Sequence, residues 1–214
     1  MKKLFLMTVI AFFGFTVAAQ DSPSAIGFGL KAGANFASIT GDETDNLSSL
    51  TGFHVGAYID ISVSEKFSVQ PELLYSTQGA KYEDSDFYDG KFKLNYLNIP
   101  IMAKFRVAEG FTLEAGPQVG FLLSAKDEYD YIGADPGFSD LSGEDDIKDF
   151  VKGTDFGINF GLGYEMENGL NFSARYCLGL SNINDTSSID PGFDMGDIKN
   201  QNGVFQLSVG FTFL

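Results

Sequence analysis

The chain is poor in the residues on which most catalytic and metal sites depend. Its 214 residues include one cysteine, one histidine and no tryptophan. A single cysteine cannot form a disulfide within the chain, and a single histidine excludes a multi-histidine zinc site. Lysine and arginine total 14 against 29 aspartates and glutamates, and the resulting net charge of −15 argues against nucleic acid as a partner. Since no glycine-rich phosphate loop follows an apolar segment either, we expect no cofactor and no metal.

What the sequence has in abundance is alternation of apolar and polar residues. Eight segments place apolar side chains at every second position, which is the period of a β-strand. The segments cover residues 27–36, 53–63, 67–76, 96–106, 111–124, 155–165, 170–180 and 205–213. Each is about ten residues long, which is what a tilted strand needs to cross a bilayer.

The connections between these segments alternate between short and long. The short ones cover residues 64–66, 108–110 and 167–169, and the long ones cover residues 37–51, 79–91, 125–153 and 181–203. Antiparallel strands joined in this way place every short turn at one end and every long loop at the other. The pattern is typical of an all-β, eight-stranded up-and-down transmembrane barrel with short periplasmic turns and long extracellular loops. We therefore expect an integral protein of a bacterial outer membrane.

The N-terminal residues 1–19 have the layout of a cleaved secretory signal peptide. Lys2 and Lys3 form a basic start, an apolar run follows, and residues 17–19 supply the small side chains of a cleavage site. The expected organisation is a signal peptide over residues 1–19 and one outer-membrane β-barrel domain over residues 20–214.

Aromatic residues recur near both ends of the apolar faces, where barrel strands meet the lipid headgroups. Because the chain has no tryptophan, phenylalanine and tyrosine must form both girdles. The predicted girdle residues are Phe36, Phe53, Phe67, Tyr75, Phe105, Phe111, Phe121, Phe156, Tyr164, Phe172, Phe205 and Phe213.

The polar positions of the same segments would face the interior, which in an eight-stranded barrel is only wide enough to be filled by side chains. Lys104 and Glu114 are expected to pair across the turn at residues 108–110. A buried charge left without a partner costs about 3–5 kcal/mol, so the interior charges should pair and plug the barrel. The predicted lumen network consists of Lys31, His54, Asp60, Glu72, Lys104, Glu114 and Arg175.

One pair of interior residues suggests catalysis. Symmetric pairing of the second and third segments would place His54 opposite Ser76 near the outer mouth, as in an outer-membrane lipid-modifying enzyme. Nucleophilic catalysis would also need an orienting carboxylate, and Glu72 lies about 13 Å lower along the strand. A hydrogen-bonded lumen histidine in a non-enzymatic protein is the favoured interpretation, and the enzyme is the alternative.

The long loops hold most of the negative charge. They contain 20 acidic and 6 basic residues, a net charge of −14. Residues 84–90 bear a passing likeness to a calcium loop but lack its glycine and glutamate spacing, so an acidic loop is favoured. The loop at residues 125–153 is the longest, and we expect it to lie outside the strand pattern and to contact an envelope or extracellular protein.

The remaining expected partners follow from the barrel itself. They are outer-membrane lipid, lipopolysaccharide and, through the aromatic C-terminal Phe211–Leu214, the barrel-insertion machinery. The barrel is expected to be a monomer.

Several stretches together resemble a known family. They are GFGLKAGANFASITGD, YLNIPIMAKF, DFGINFGLGYE, GLNFSARYCLGLSNI and the terminal FQLSVGFTFL. The combination is similar to the PorT-like family of outer-membrane β-barrel proteins along the whole mature chain. The resemblance implies an eight-stranded outer-membrane barrel, and it adds an accessory role in protein secretion as an alternative function.

Overall fold

The computed structural model describes residues 26–82, 88–131, 141–185 and 198–213. The signal peptide predicted for residues 1–19 lies outside these ranges. Within them, no helix is long and apolar enough to span a membrane. The strands are β1 (Ile26–Gly41), β2 (Leu47–Ser64), β3 (Phe67–Tyr82), β4 (Tyr88–Arg106), β5 (Phe111–Tyr131), β6 (Leu141–Asp146), β7 (Thr154–Glu165), β8 (Leu170–Gly179) and β9 (Asn200–Phe213), with a 3-10 turn at Lys148–Phe150.

Eight strands form a closed antiparallel ring. Neighbours follow the chain from β1 to β5 and then from β7 to β9, while β6 pairs, among the described strands, with β5 alone. The first and last strands close the ring, with pairs from Phe28 with Phe213 to Gly41 with Asn200. The predicted eight-stranded up-and-down barrel is confirmed. Closure leaves no free edge, because every barrel strand is paired on both sides.

The strands extend further than the sequence predicted. Strands β1 to β5 contain 16, 18, 16, 19 and 21 residues. The expected length of about ten residues is wrong for these strands, because backbone pairing continues past the apolar stretch with polar side chains. The first long connection, predicted at residues 37–51, therefore shrinks to residues 42–46.

The connection predicted at residues 125–153 contains regular structure. Strand β5 continues to Tyr131, and β6 pairs with it from Lys126 with Asp146 to Tyr131 with Leu141. The expectation that this loop lies outside the strand pattern is wrong. The two strands form an outer hairpin, defined here as residues 126–131 and 141–146, that projects beyond the ring.

The two faces of the barrel wall have opposite chemistry. Large apolar side chains face outward, where Leu162 is 60% exposed and Phe28 is 59% exposed. Charged side chains face inward, where Arg175 is 2% exposed and Glu72 is 3% exposed. A water-soluble protein has the reverse arrangement. An outward apolar face on a closed ladder needs a hydrocarbon environment.

A β-bulge in β5 switches the faces near the loop end. Leu123 has no partner on β4, although Leu122 and Ser124 both have one. Leu122 and Ala125 lie in one buried cluster, which two positions of opposite parity share only if a bulge separates them. The sequence placed Ser124 at an interior position. In the structure its hydroxyl accepts a hydrogen bond from Asn95 Nδ2 at 2.8 Å.

Two glycines of β1 let side chains of β2 cross to β9. A Cβ atom at Gly33 would lie 2.6 Å from Cε1 of His54, whose ring passes over this glycine to reach Ser208. A Cβ atom at Gly29 would lie 2.1 Å from Cζ of Tyr58. Any larger residue at either glycine would block these contacts across the interior.

Candidate functional site: the barrel interior and its outer mouth

Four charges meet at the middle of the interior. Glu72 accepts hydrogen bonds from Lys31 Nζ at 3.1 Å and from both terminal nitrogens of Arg175 at 3.0 and 2.9 Å. Arg175 also donates to Glu114 Oε2 at 3.1 Å. All four side chains are at most 7% exposed. The two cations and two carboxylates balance, which is the condition for burying charges at low cost.

A second polar tier lies toward the short turns. Lys104 Nζ donates to Asp60 Oδ2 at 2.9 Å and to Gln70 Oε1 at 2.9 Å, and it lies 3.9 Å from Glu165. Lys104 and Glu114 are cross-strand neighbours, as the sequence predicted. The expected ion pair between them is not among those the described residues form, because Arg175 binds Glu114 and leaves Lys104 to Asp60.

The third tier, toward the outer mouth, contains the histidine. His54 is opposite Ser76 in the β2–β3 register, as predicted, but its ring bonds elsewhere. Its Nδ1 lies 2.7 Å from Asn35 Oδ1, and its Nε2 lies 2.8 Å from Ser208 Oγ. Because an amide oxygen only accepts, Nδ1 donates to Asn35, while Nε2 and the Ser208 hydroxyl share the second hydrogen bond. Both ring nitrogens are therefore hydrogen-bonded within the interior.

Asn35, His54 and Ser208 form a chain that resembles an amide-oriented catalytic triad. The sequence missed this chain, since the glycine that lets His54 reach Ser208 carries no chemical signal of its own. Access is the difficulty for catalysis. His54 is 1% exposed, and Asn35 is held by further hydrogen bonds to Ser76 and Gln206, so no space for a substrate lies beside the ring. The geometry fits a locked polar network better.

A cluster of apolar side chains is buried above the histidine tier. The cluster, called the outer cap here, consists of Leu94, Tyr96, Leu122, Ala125 and Ile183, all at most 7% exposed. Tyr96 sits at a position the sequence assigned to the polar lumen, and Ala125 and Ile183 sit in predicted loops. Their burial requires the β5 bulge and the inward fold of the segment after β8.

Backbone hydrogen bonds fasten the segments over the outer cap. Ile147 N donates to Ala125 O at 3.0 Å, and Lys152 N donates to Ile183 O at 2.7 Å. Val151 forms an isolated bridge with Asn184. The stretch after β6 and the stretch after β8 are therefore tied to the barrel rim and to each other.

The twelve predicted girdle residues lie on the outward face. Eleven are exposed, and Tyr75 is half-buried. Several contact one another across strands, with ring centroids 4.6 Å apart for Phe111 and Tyr164 and 5.9 Å apart for Phe53 and Tyr75. Their role as membrane girdles stays a prediction.

Comparison with known families decides the class of protein. The family described as the outer membrane protein β-barrel domain matches residues 18–185. The chain belongs to this family. It is an integral protein of the outer membrane, so the short-turn end faces the periplasm and the loop end faces outward. The narrower resemblance to PorT-like proteins stays a prediction.

The chain is also similar to solved structures of outer-membrane proteins at low sequence identity. Neisserial surface protein A is 14% identical, with a TM-score of 0.51 over 88% of this chain and 99% of that one. A major outer membrane protein from Thermus thermophilus is 11% identical, with a TM-score of 0.55 over 88% of this chain and 100% of that one. The attachment invasion locus protein Ail of Yersinia pestis is 17% identical, with a TM-score of 0.49 over 87% and 98%. No curated protein matches the chain significantly.

Proposed function

We propose that this protein is a plugged, non-enzymatic outer-membrane barrel that acts through its extracellular surface. The observation that carries the proposal is closure at two separate heights. The charged tier around Glu72 fills the middle of the interior, and the outer cap fills the mouth. An open channel would require both the charged tier and the outer cap to move out of the lumen.

Energetics supports the closed interior. Each ionic group of the middle tier is buried and bonded to at least one opposite charge. Separating them without water would cost several kcal/mol per charge. Opening the mouth would in addition expose the apolar side chains of the cap. Because buried charges and the outer cap occupy the described interior, function is assigned to the outer surface.

Conductance in planar bilayers tests the plug. The purified full chain is expected to give no steady single-channel openings at moderate voltage. A double variant, Leu94→Gly with Leu122→Gly, removes the cap but leaves the charged tier, and it should remain non-conducting. Steady, large openings from the unaltered protein would overturn the proposal and favour a porin.

The outer hairpin is the proposed contact surface for an envelope or extracellular protein. Replacing residues 128–144 with a short Gly-Ser turn retains Ile147 and Val151, which pack against the outer cap. The shortened barrel should fold and insert, as judged by migration in SDS with and without heating, but should lose partners that co-purify with the unaltered protein. Full retention of those partners would place the contact elsewhere.

The same purified protein distinguishes two alternative functions, an accessory role in secretion and lipid hydrolysis. A stable complex with secretion components would favour a PorT-like accessory role. A lipid hydrolase would now rest on Ser208 rather than on Ser76, because Ser208 bonds the His54 ring. Ester hydrolysis that disappears in Ser208→Ala and persists in Ser76→Ala would establish the enzyme.

A further inference from the structure

Strand β6 has one edge that faces no partner strand. Strand β7 pairs with β5 up to the pair of Phe121 with Thr154. Beyond that pair β6 takes the place of β7 beside β5, starting at Lys126 with Asp146. Among the strands that the structure describes, none pairs with the other side of β6. The ring of the barrel is closed, but the sheet that rises from it ends at β6.

The register of the outer hairpin shows which backbone groups face this free edge. Ile147 N donates to Ala125 O at 3.0 Å, and the two residues are opposite each other when the β5–β6 register is continued by one pair. Hydrogen-bonded and non-hydrogen-bonded pairs alternate along an antiparallel ladder. Counting back from Ile147, every second residue of β6 therefore bonds β5, and the residues between them direct their N–H and C=O groups away from it. The residues with groups directed to the free edge are Ser142, Glu144 and Asp146.

The backbone groups on the free edge are available for pairing. Ser142, Glu144 and Asp146 are all exposed. Outside the β5–β6 ladder, no backbone hydrogen bond of the described residues involves them. An exposed row of unpaired N–H and C=O groups is a template for a further strand. A segment of about five residues is long enough to pair with this row.

The free edge lies above the lipid headgroups. Asp146 pairs with Lys126, which follows the predicted girdle residue Phe121 by five positions. Five residues span about 17 Å along a strand, and a strand tilted by about 40° gains about 13 Å of height over that length. The headgroup layer extends about 5–8 Å beyond the hydrocarbon core. A segment of a protein outside the membrane can therefore reach the edge.

The free edge is strongly acidic. The outer hairpin contains six carboxylates and one lysine. Lys126 binds Glu144, whereas no ion pair among the described residues involves Asp145 or Asp146. Asp145 is opposite Asp127, and burial together with the charge of Asp145 raises the pKa of Asp127. Because like charges opposite each other destabilise a sheet, basic side chains on an incoming strand would stabilise this one.

The same charge disfavours pairing of the edge with this chain itself. Residues 132–140 and 186–197 contain five aspartates and no lysine or arginine. Antiparallel pairing of β6 with β6 of a second copy would place carboxylates against carboxylates. Charges on an edge strand oppose pairing with strands of like charge and so select strands of opposite charge.

We propose that the free edge of β6 binds a basic, extended segment of an envelope or extracellular protein by pairing with it as an additional strand. The inference rests on the proposed function, which places the contact surface on the outer hairpin, and it adds the mode of binding and the charge of the partner. Backbone hydrogen bonds supply affinity in such a complex, and the side chains of the added strand supply selectivity.

Peptide binding tests the edge. The full chain in non-ionic detergent micelles is titrated with a fluorescent seven-residue peptide that alternates lysine and threonine, and binding is measured by anisotropy at low salt. Methylation of two adjacent central amide nitrogens keeps the charge of the peptide but removes one donor from each of its edges. The methylated peptide should bind about fivefold more weakly, as expected for one lost hydrogen bond. Equal binding of the two peptides would overturn the proposal, because charge alone would then explain the binding.

Two pairs of variants place the contact on β6. Ser142→Pro removes one N–H group from the free edge and should weaken binding of the unmethylated peptide about fivefold, whereas Ser142→Thr keeps the group and should not. Asp145→Asn with Asp146→Asn should weaken binding, whereas Glu43→Gln with Asp45→Asn removes the same charge from the turn between β1 and β2 and should not. Heat-dependent migration in SDS checks that each variant is folded. Unchanged binding by the proline variant, or equal losses in the two charge variants, would overturn the proposal.

Co-purification separates this inference from the proposed function. Partners that are lost from both the shortened barrel and the Ser142→Pro variant would support strand pairing. If the Ser142→Pro variant retains partners that the shortened barrel loses, the outer hairpin remains the contact surface and strand pairing is overturned. Retention by both proteins would overturn the contact surface as well. A dimer of the unaltered protein that is absent in Ser142→Pro would assign the edge to a second copy and overturn the proposal.

Discussion

Replacing Glu72 with glutamine is the sharpest perturbation of the barrel interior. The carboxylate is 3% exposed and accepts hydrogen bonds from Lys31, from two nitrogens of Arg175 and from Gln70 Nε2 at 2.7 Å. Glutamine keeps the size of the side chain but replaces one oxygen with a donor. That donor would face a donor of Arg175, and the middle tier would hold two cations against Glu114 alone.

The expected destabilisation follows from the uncompensated charge. Removing one partner of a buried ion pair typically costs about 3–5 kcal/mol, most of it from the charge left behind. Removing Lys31 as well restores the balance between Arg175 and Glu114. The double variant Glu72→Gln with Lys31→Met should therefore be more stable than the single Glu72→Gln variant, even though it lacks one more polar contact.

Unfolding by guanidinium in lipid vesicles, followed by heat-dependent migration in SDS, measures both variants. Glu109→Gln removes the same charge from an exposed periplasmic turn and should change stability by less than about 0.5 kcal/mol. A Glu72→Gln protein as stable as the unaltered one would refute the view that the middle tier is a buried, charge-balanced plug. So would a double variant whose loss equals the sum of the single losses, because the two charges would then be independent.

The alternating pattern was sufficient to predict the ring and its two faces. Leu162 and Arg175 lie outward and inward as their positions in the pattern require, since period two is imposed by the pleat itself. The sequence could not give the length of the strands. Backbone pairing is independent of side-chain polarity, so β5 continues through Lys126 and Glu128 after its apolar positions end.

The partners of the interior charges were less predictable than their positions. Lys104 was expected to bind Glu114, its neighbour across one turn, but it binds Asp60 from a strand farther around the ring. In a narrow barrel, long side chains meet across the interior as readily as along the wall. Arg175 binds both Glu72 and Glu114, so the carboxylates that remain near Lys104 are those of Asp60 and Glu165.

Two backbone features could not be predicted from the sequence, because no distinctive residue type marks either of them. The bulge at Leu123 shifts the parity of β5, so that Lys126 and Glu128 point outward and Ala125 inward. Gly33 looks like any other strand glycine, yet the His54 ring occupies the space its side chain would need. The bulge moves residues between the interior and the outward wall, and the glycine lets the His54 ring reach β9.

Two further substitutions test the wall of the barrel. Leu207→Arg places a charge on the lipid face next to Gln206 of the interior and should destabilise the protein by about 2–4 kcal/mol, whereas Val63→Arg near a periplasmic turn should cost no more than about 1 kcal/mol, both measured by guanidinium unfolding in vesicles. Equal losses would show that burial in lipid does not differ between the two positions. Gly33→Ala would bring a Cβ atom within 1.9 Å of Leu207 O, a backbone atom that cannot move aside without breaking the β1–β9 ladder. It should cost about 1–3 kcal/mol and slow refolding, since the closing pair of strands must separate to admit it. Gly153→Ala, which meets nothing within 4 Å, is the matched control and should be neutral. If both alanine variants refold alike, the His54 ring does not depend on the gap at Gly33, and the contact between β2 and β9 does not help to close the barrel.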